Sequence, residues 1–221
     1  MARVLRNNGL TLVLLIFFVL TLIGQSLVGG RVYNADQRDH GQPTIGYGAY
    51  LRTGHFVEAV FENWESEFLQ MGLYVLLTAY LYQKGSAESK DPDKHEGVDD
   101  DPQAARPQRD TPWAVRQGGI ALKLYENSLV LALLLLFVIS FTLHVAGGAQ
   151  VYNEAQLAHG GETVSALGYL ATSQLWFESF QNWQSEFLSI AVIVVLSIFL
   201  RQKGSPESKP VAAPHSVTGE G

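Results

Sequence analysis

Shifted by 119 residues, this 221-residue chain matches itself without a gap, about residues 8–90 against 127–209. A self-match of this length means that one structural unit is used twice, and it constrains every other fold argument. The identities fall in turns and polar stretches, where chance likeness between apolar runs cannot produce them. Val32-Tyr33-Asn34 meets Val151-Tyr152-Asn153, and His40-Gly41 meets His159-Gly160. The longest block is FENWESEFL (61–69) against FQNWQSEFL (180–188). Gln83-Lys84-Gly85-Ser86 meets Gln202-Lys203-Gly204-Ser205.

Each copy holds two apolar runs, at residues 10–28 and 68–82 and then at 129–146 and 187–200. A helix needs about 20 apolar residues to cross about 30 Å of hydrocarbon. Charged residues make up 16% of the chain, against about 25% in soluble domains, so much of it is built to avoid water. The pattern predicts an all-α membrane protein with four transmembrane helices as two parallel two-helix repeats, and short interfacial helices in the outer loops. Arg3 and Arg6 ahead of the first run also fit a secretory signal peptide. That run exceeds the usual signal core of about 7–15 residues, however, and it recurs deep in the chain as the third run.

The expected organisation is a first repeat at 1–90, a disordered acidic and Pro-rich linker at 91–112, an interfacial segment and second repeat at 113–209, and a disordered tail at 210–221. The linker carries Asp99-Asp100-Asp101 and four prolines, Pro92, Pro102, Pro107 and Pro112, a composition that cannot bury enough apolar surface to order itself. Residues 113–124 (WAVRQGGIALKL) suit a short helix in the membrane interface. Of the 15 Lys and Arg residues, Arg31, Arg38 and Arg52 lie in the outer loops and twelve lie on the other side, Arg106 among them. By the positive-inside rule both termini and the linker face the cytoplasm.

Several function classes fall away. A net charge of -6 offers no general basic surface for nucleic acid, and the lack of cysteine removes disulfides and thiolate sites. There is no phosphate loop, dinucleotide glycine pattern, nucleophile elbow or zinc-protease helix. The expectation is a protein that is not an enzyme, with no cofactor and no bound metal.

The shared block supplies the candidate polar cluster. On a helix Phe61, Trp64 and Phe68 share an apolar face, while Asn63 and Glu67 fall at i, i+4 on a polar edge; Asn182 and Glu186 repeat that edge. Counting back from the end of the second run puts Glu67, and likewise Glu186, about one turn inside the outer hydrocarbon boundary. A carboxylate there fastens loop to helix, handles protons or cations, or reads an external ligand. Trp64, Trp183 and Trp113 are interfacial anchors. His40 and His159 are a candidate outer-loop site; with the two glutamates they offer metal ligands, and each also precedes a glycine, as a helix-ending histidine does. His144 lies within the third run opposite Gln25, which argues against haem held by paired histidines. The pairs Gly29-Gly30 and Gly147-Gly148 are placed to loosen or end a helix, residues 153–160 suit a separate polar helix, and Thr53 and Ser173 are placed to cap the next helices.

The duplicated Asn-Trp-x-Ser-Glu-Phe-Leu block, with the chain apart from linker and tail, resembles an uncharacterised family of small bacterial multi-pass membrane proteins catalogued as a domain of unknown function. The resemblance implies a bacterial cytoplasmic membrane and assigns no activity or site residue. The leading functional expectation is a membrane scaffold or envelope-associated protein whose aromatic outer cap binds a partner or lipid. The alternatives are a small proton- or cation-coupled transporter using Glu67 and Glu186, and a metal-dependent membrane enzyme. The bilayer is the expected partner; a protein partner at the outer face and a homo-oligomer stay open.

Overall fold

A computed structural model describes residues 2–105 and 109–219; Arg106 and Pro107, named above, lie outside the described residues. The described residues contain no strand. The helices are α1 (Ala2–Asp39), α2 (Tyr47–Tyr50), α3 (Gly54–Thr78), α4 (Trp113–Gln117), α5 (Gly119–Glu126), α6 (Ser128–Ala158), α7 (Ala166–Tyr169) and α8 (Ser173–Phe199). Three of them, α1, α6 and α8, are long and apolar enough to cross a membrane. Helix α3 has 25 residues, but Glu58, Glu62, Glu65 and Glu67 fill its first half, so its apolar stretch is short.

Burial runs opposite to that of a water-soluble domain. Among the described residues nine buried side chains are apolar and thirteen are polar or charged, while Leu, Ile, Val and Phe side chains crowd the exposed set along α1, α6 and α8. Exposed apolar surface on this scale requires an apolar surrounding.

The chain divides into two compact units, Met1–Glu62 with Phe141–Trp176, and Asn63–Ser140 with Phe177–Gly221. The division cuts across the repeat, because each unit takes residues from both copies.

In the first unit the glycine pairs do not end their helices. Helix α1 runs through Gly29 and Gly30, and α6 through Gly147 and Gly148. A Cβ at Gly29 would sit 2.2 Å from the Tyr50 hydroxyl, and one at Gly148 would sit 2.7 Å from the Tyr169 ring. The glycines are notches for the fully buried tyrosines of α2 and α7. The supposed separate helix at 153–160 is the continuation of α6. One lock recurs at the equated positions. Asn34 donates to Ile45 O (2.9 Å) and accepts from Ile45 N (2.8 Å), and Asn153 does the same with Val164 at 2.8 Å each way. Each bond contributes about 1 kcal/mol, enough to hold a loop in register. Thr53 caps α3 through Phe56 N; in the second copy the cap is Thr172, through Leu175 N, and not Ser173, because Thr172 is the true equivalent of Thr53.

In the second unit residues 83–90 and 202–209 form the same capped turn. Ser89 Oγ accepts from Gln83 N and Ser208 Oγ from Gln202 N, both at 2.8 Å. The linker is not featureless: it holds two 3-10 turns, Gly97–Asp99 and Pro102–Ala105, and an ion pair between Lys90 and Asp99. That ammonium, and then the Glu96 backbone, hold the Asp99 carboxyl below its ordinary pKa. In the tail, the backbone carbonyls of Pro214, His215 and Val217 surround the fully buried Lys209, and Thr218 Oγ1 accepts from Gly85 N at 2.8 Å. Charge-assisted hydrogen bonds stand in here for apolar packing in a polar segment.

Candidate functional site

The second unit is built around a polar face of α3. Phe61, Trp64 and Phe68 are only half-buried. The residues taken inside are Glu65, Ser66 and Gln70, at 0%, 2% and 5% exposure. Ser66 Oγ donates to Asn63 O of its own helix at 2.7 Å, and helix α8 supplies the partners of Glu65 and Gln70. Ser179 Oγ donates to Glu65 Oε1 at 2.9 Å, and Trp183 Nε1 donates to the same oxygen at 3.3 Å. Ser179 and Trp183 stand four residues apart, so one helical face presents both donors. Gln70 Nε2 donates to Glu186 O at 2.7 Å and to Ser189 Oγ at 3.0 Å. Gln70 and Ser189 are the same position in the two copies, 119 residues apart.

The residues singled out by the sequence lie around this arrangement. Glu67 is exposed and Glu186 half-buried. Asn63 is exposed; Asn182 is half-buried and donates to Glu178 O at 3.2 Å. Trp64 and Trp183 are half-buried, whereas Trp113 is 65% exposed at the start of α4. His40 and His159 are exposed, each with Nδ1 against the carbonyl four residues back, Asp36 O (3.0 Å) and Ala155 O (2.8 Å). The following Gly41 and Gly160 have φ +69 and +72, and close the helix ends as Schellman-type caps.

Glu65 occupies one of the two variable positions of the shared block, matching Gln184, so the likeness between the copies does not single it out. The available signal was its spacing, since seven residues from Glu58 is two helical turns and the same face.

The first unit holds a second ionisable pair. His144 is fully buried on α6, and a ring nitrogen of it lies within 4.8 Å of a carboxylate oxygen of Glu58 on α3. Gly54 and Gly147 set this approach. A Cβ on Gly147 would stand 2.6 Å from Glu58 N, and one on Gly54 would stand 2.7 Å from Gly147 O. Two helix backbones that close leave the flanking side chains no room to turn away.

Nearer the loop, His55 bonds Tyr50 Oη at 3.2 Å and packs against the rings of Tyr33 and Tyr50. Burial lowers its pKa from the ordinary 6.5, with Asp36 opposing. A lowered pKa means that the unfolded chain takes the proton first. The stability this histidine confers is therefore complete above 6.5 and is lost as pH falls through 6.5 toward the folded value. Hydrogen-exchange protection at residues 47–57, taken relative to the intrinsic exchange rate at each pH, should fall as pH drops from about 6.5 to about 5.5. His55→Gln, which installs the residue of the equivalent position 174, should abolish that pH dependence.

A family model described as a domain of unknown function (DUF6766) matches residues 1–220. The chain belongs to this family. No curated protein and no solved structure matches it. The match takes in residues 91–112 and 210–220 along with the helices.

Proposed function

We propose that the chain is a four-span helical membrane protein that moves protons through the polar interior of its helices, with Glu65 as the proton-carrying group. The observation that carries the reading is the complete burial of Glu65 against two neutral donors, Ser179 and Trp183. An intramembrane carboxyl group is costly to keep, and such groups mark ion and proton paths. The buried Ser66 and Gln70 extend the polar interior within the same unit. The exposed apolar surface and the apolar run in α3 support four spans in two parallel repeats. The distribution of Lys and Arg supports termini and linker on the cytoplasmic side of the membrane.

The test is proton flux into liposomes containing the purified chain under an imposed pH gradient. Wild type should acidify the lumen well above empty liposomes, and Glu65→Gln should abolish the excess while keeping its helical content. The second copy carries Gln184 at the same position, so the helix has a precedent for that side chain. Glu67→Gln/Glu186→Gln should leave most of the flux. The reading fails if wild type matches empty liposomes or if Glu65→Gln conducts like wild type.

The scaffold reading keeps one specific support, the Asn34 and Asn153 locks, which give two rigid loops suited to present a surface. It gains if no flux is found and Glu65→Gln alters only stability.

A further inference from the structure

Two of the positions at which the copies differ place ionisable groups close together in the first unit. His144 replaces Gln25, and Glu58 stands where the second copy has Phe177. Gln25 does a plain structural job, donating to Ala59 O at 2.9 Å. Its equivalent is an imidazole at 0% exposure with a carboxylate oxygen within 4.8 Å. The close crossing at Gly54 and Gly147 fixes the backbone beneath both side chains, because the atoms a Cβ would strike at Gly147 are Glu58 N, Gly54 O and Glu58 Cα.

We propose that Glu58 and His144 are protein ligands of a divalent transition-metal site in the first unit. The separation lets one ion bridge the two groups, since metal–ligand bonds of about 2.0–2.2 Å from nitrogen and oxygen meet within it after a small side-chain adjustment. Imidazole with carboxylate suits zinc, iron, manganese or cobalt rather than magnesium or calcium. A carboxylate and a neutral ring supply two donors of the four or more that such an ion takes. The claim is independent of proton movement by Glu65, and its readout is metal binding alone.

The experiment uses the full chain in detergent, stripped with chelator and titrated with Co²⁺ alone and then with Zn²⁺ as competitor. Wild type should develop visible d–d absorption that saturates at one equivalent and is displaced by Zn²⁺. His144→Gln and Glu58→Gln should each weaken binding by roughly tenfold or more, while His40→Ala/His159→Ala, which removes the exposed histidines, should bind like wild type. The first of these variants carries the side chain the sister copy already holds, and thermal unfolding of the stripped proteins checks that all remain folded. Pulsed EPR of Mn²⁺ on wild type supplies a readout free of mutation, and coupling to one imidazole nitrogen is expected. No saturable equivalent on wild type, equal binding by His144→Gln and Glu58→Gln, or bound Mn²⁺ without that coupling would each overturn the site and leave adventitious ions only.

Discussion

Gly147→Ala should destabilise the chain by about 2 kcal/mol, a large change for one added methyl group. Alanine in place of a helical glycine ordinarily gains up to about 1 kcal/mol. At Gly147 that gain is overrun, because the new methyl would meet Glu58 N at 2.6 Å, Gly54 O at 2.9 Å and Glu58 Cα at 3.1 Å. All three are backbone atoms, so no side chain can rotate aside and the helices must separate. Overpacking costs about 1–3 kcal/mol where the surroundings can give, and here they can give only by shifting α3 against α6. Gly54→Ala meets Gln150 Cβ at 2.6 Å and Gly147 O at 2.7 Å and should behave similarly. The double variant should cost less than the sum, since both methyls wedge one crossing. Gly24→Ala is the control: nothing lies within 4 Å of its Cβ, so it should be neutral or slightly stabilising. Unfolding midpoints in mixed detergent, followed by helical circular dichroism, measure all four. Equal midpoints for Gly147→Ala and Gly24→Ala would mean that the crossing is not as tight as described.

The same glycines illustrate what the sequence could and could not tell. Apolar runs and charge depletion were legible, because burying backbone in lipid leaves helices as almost the only choice. A glycine pair just past an apolar run reads locally as a helix end. It is instead the notch for a tyrosine about 20 residues away, a partnership that no local pattern announces. The shared residues Asn34 and Asn153, Tyr50 and Tyr169, and the two Gln-Lys-Gly-Ser turns proved to be repeated locks of loop and turn. The groups with most chemical scope lie where the copies part, as Glu65 does from Gln184 and His144 from Gln25. Duplication preserves what holds a unit together and frees single positions for charge. The helical spacing that singled out Asn63 and Glu67 found a polar edge, but exposure depends on which neighbouring helix covers that edge, and this is a tertiary fact.

Lys90 and Lys209 part in the same way, and Lys209→Met should free the tail. Both end the same capped turn. Lys90 pairs with Asp99 at the surface, and exposed pairs of this kind contribute about 0–1 kcal/mol. Lys209 is 1% exposed, and its ammonium donates to the carbonyls of Gly85, His215 (3.0 Å) and Val217 (2.8 Å), with Pro214 at 3.4 Å. Burial, and then the charge of Arg201, hold its pKa below the ordinary lysine value. Removing the ammonium is nonetheless worse than keeping it. Methionine fills the volume of the stem but leaves desolvated carbonyls with no donor, at about 1–3 kcal/mol for each that cannot reach water. The cheapest relief is for residues 210–219 to peel away. Gly85, with φ +85 and His215 O 2.6 Å from where a Cβ would stand, should lose its cover at the same time, whereas Gly204, at φ +86 with open space, is uncovered from the start. Limited proteolysis should therefore clip Lys209→Met within the tail many times faster than wild type, and Lys90→Met at the wild-type rate. If both variants resist alike, the carbonyl cage is incidental and the tail is held by the Thr218 and Gly219 bonds to Gly85 and Ser86. If both are clipped alike, the turn at 83–90 depends on its surface ion pair as much as on the buried ammonium.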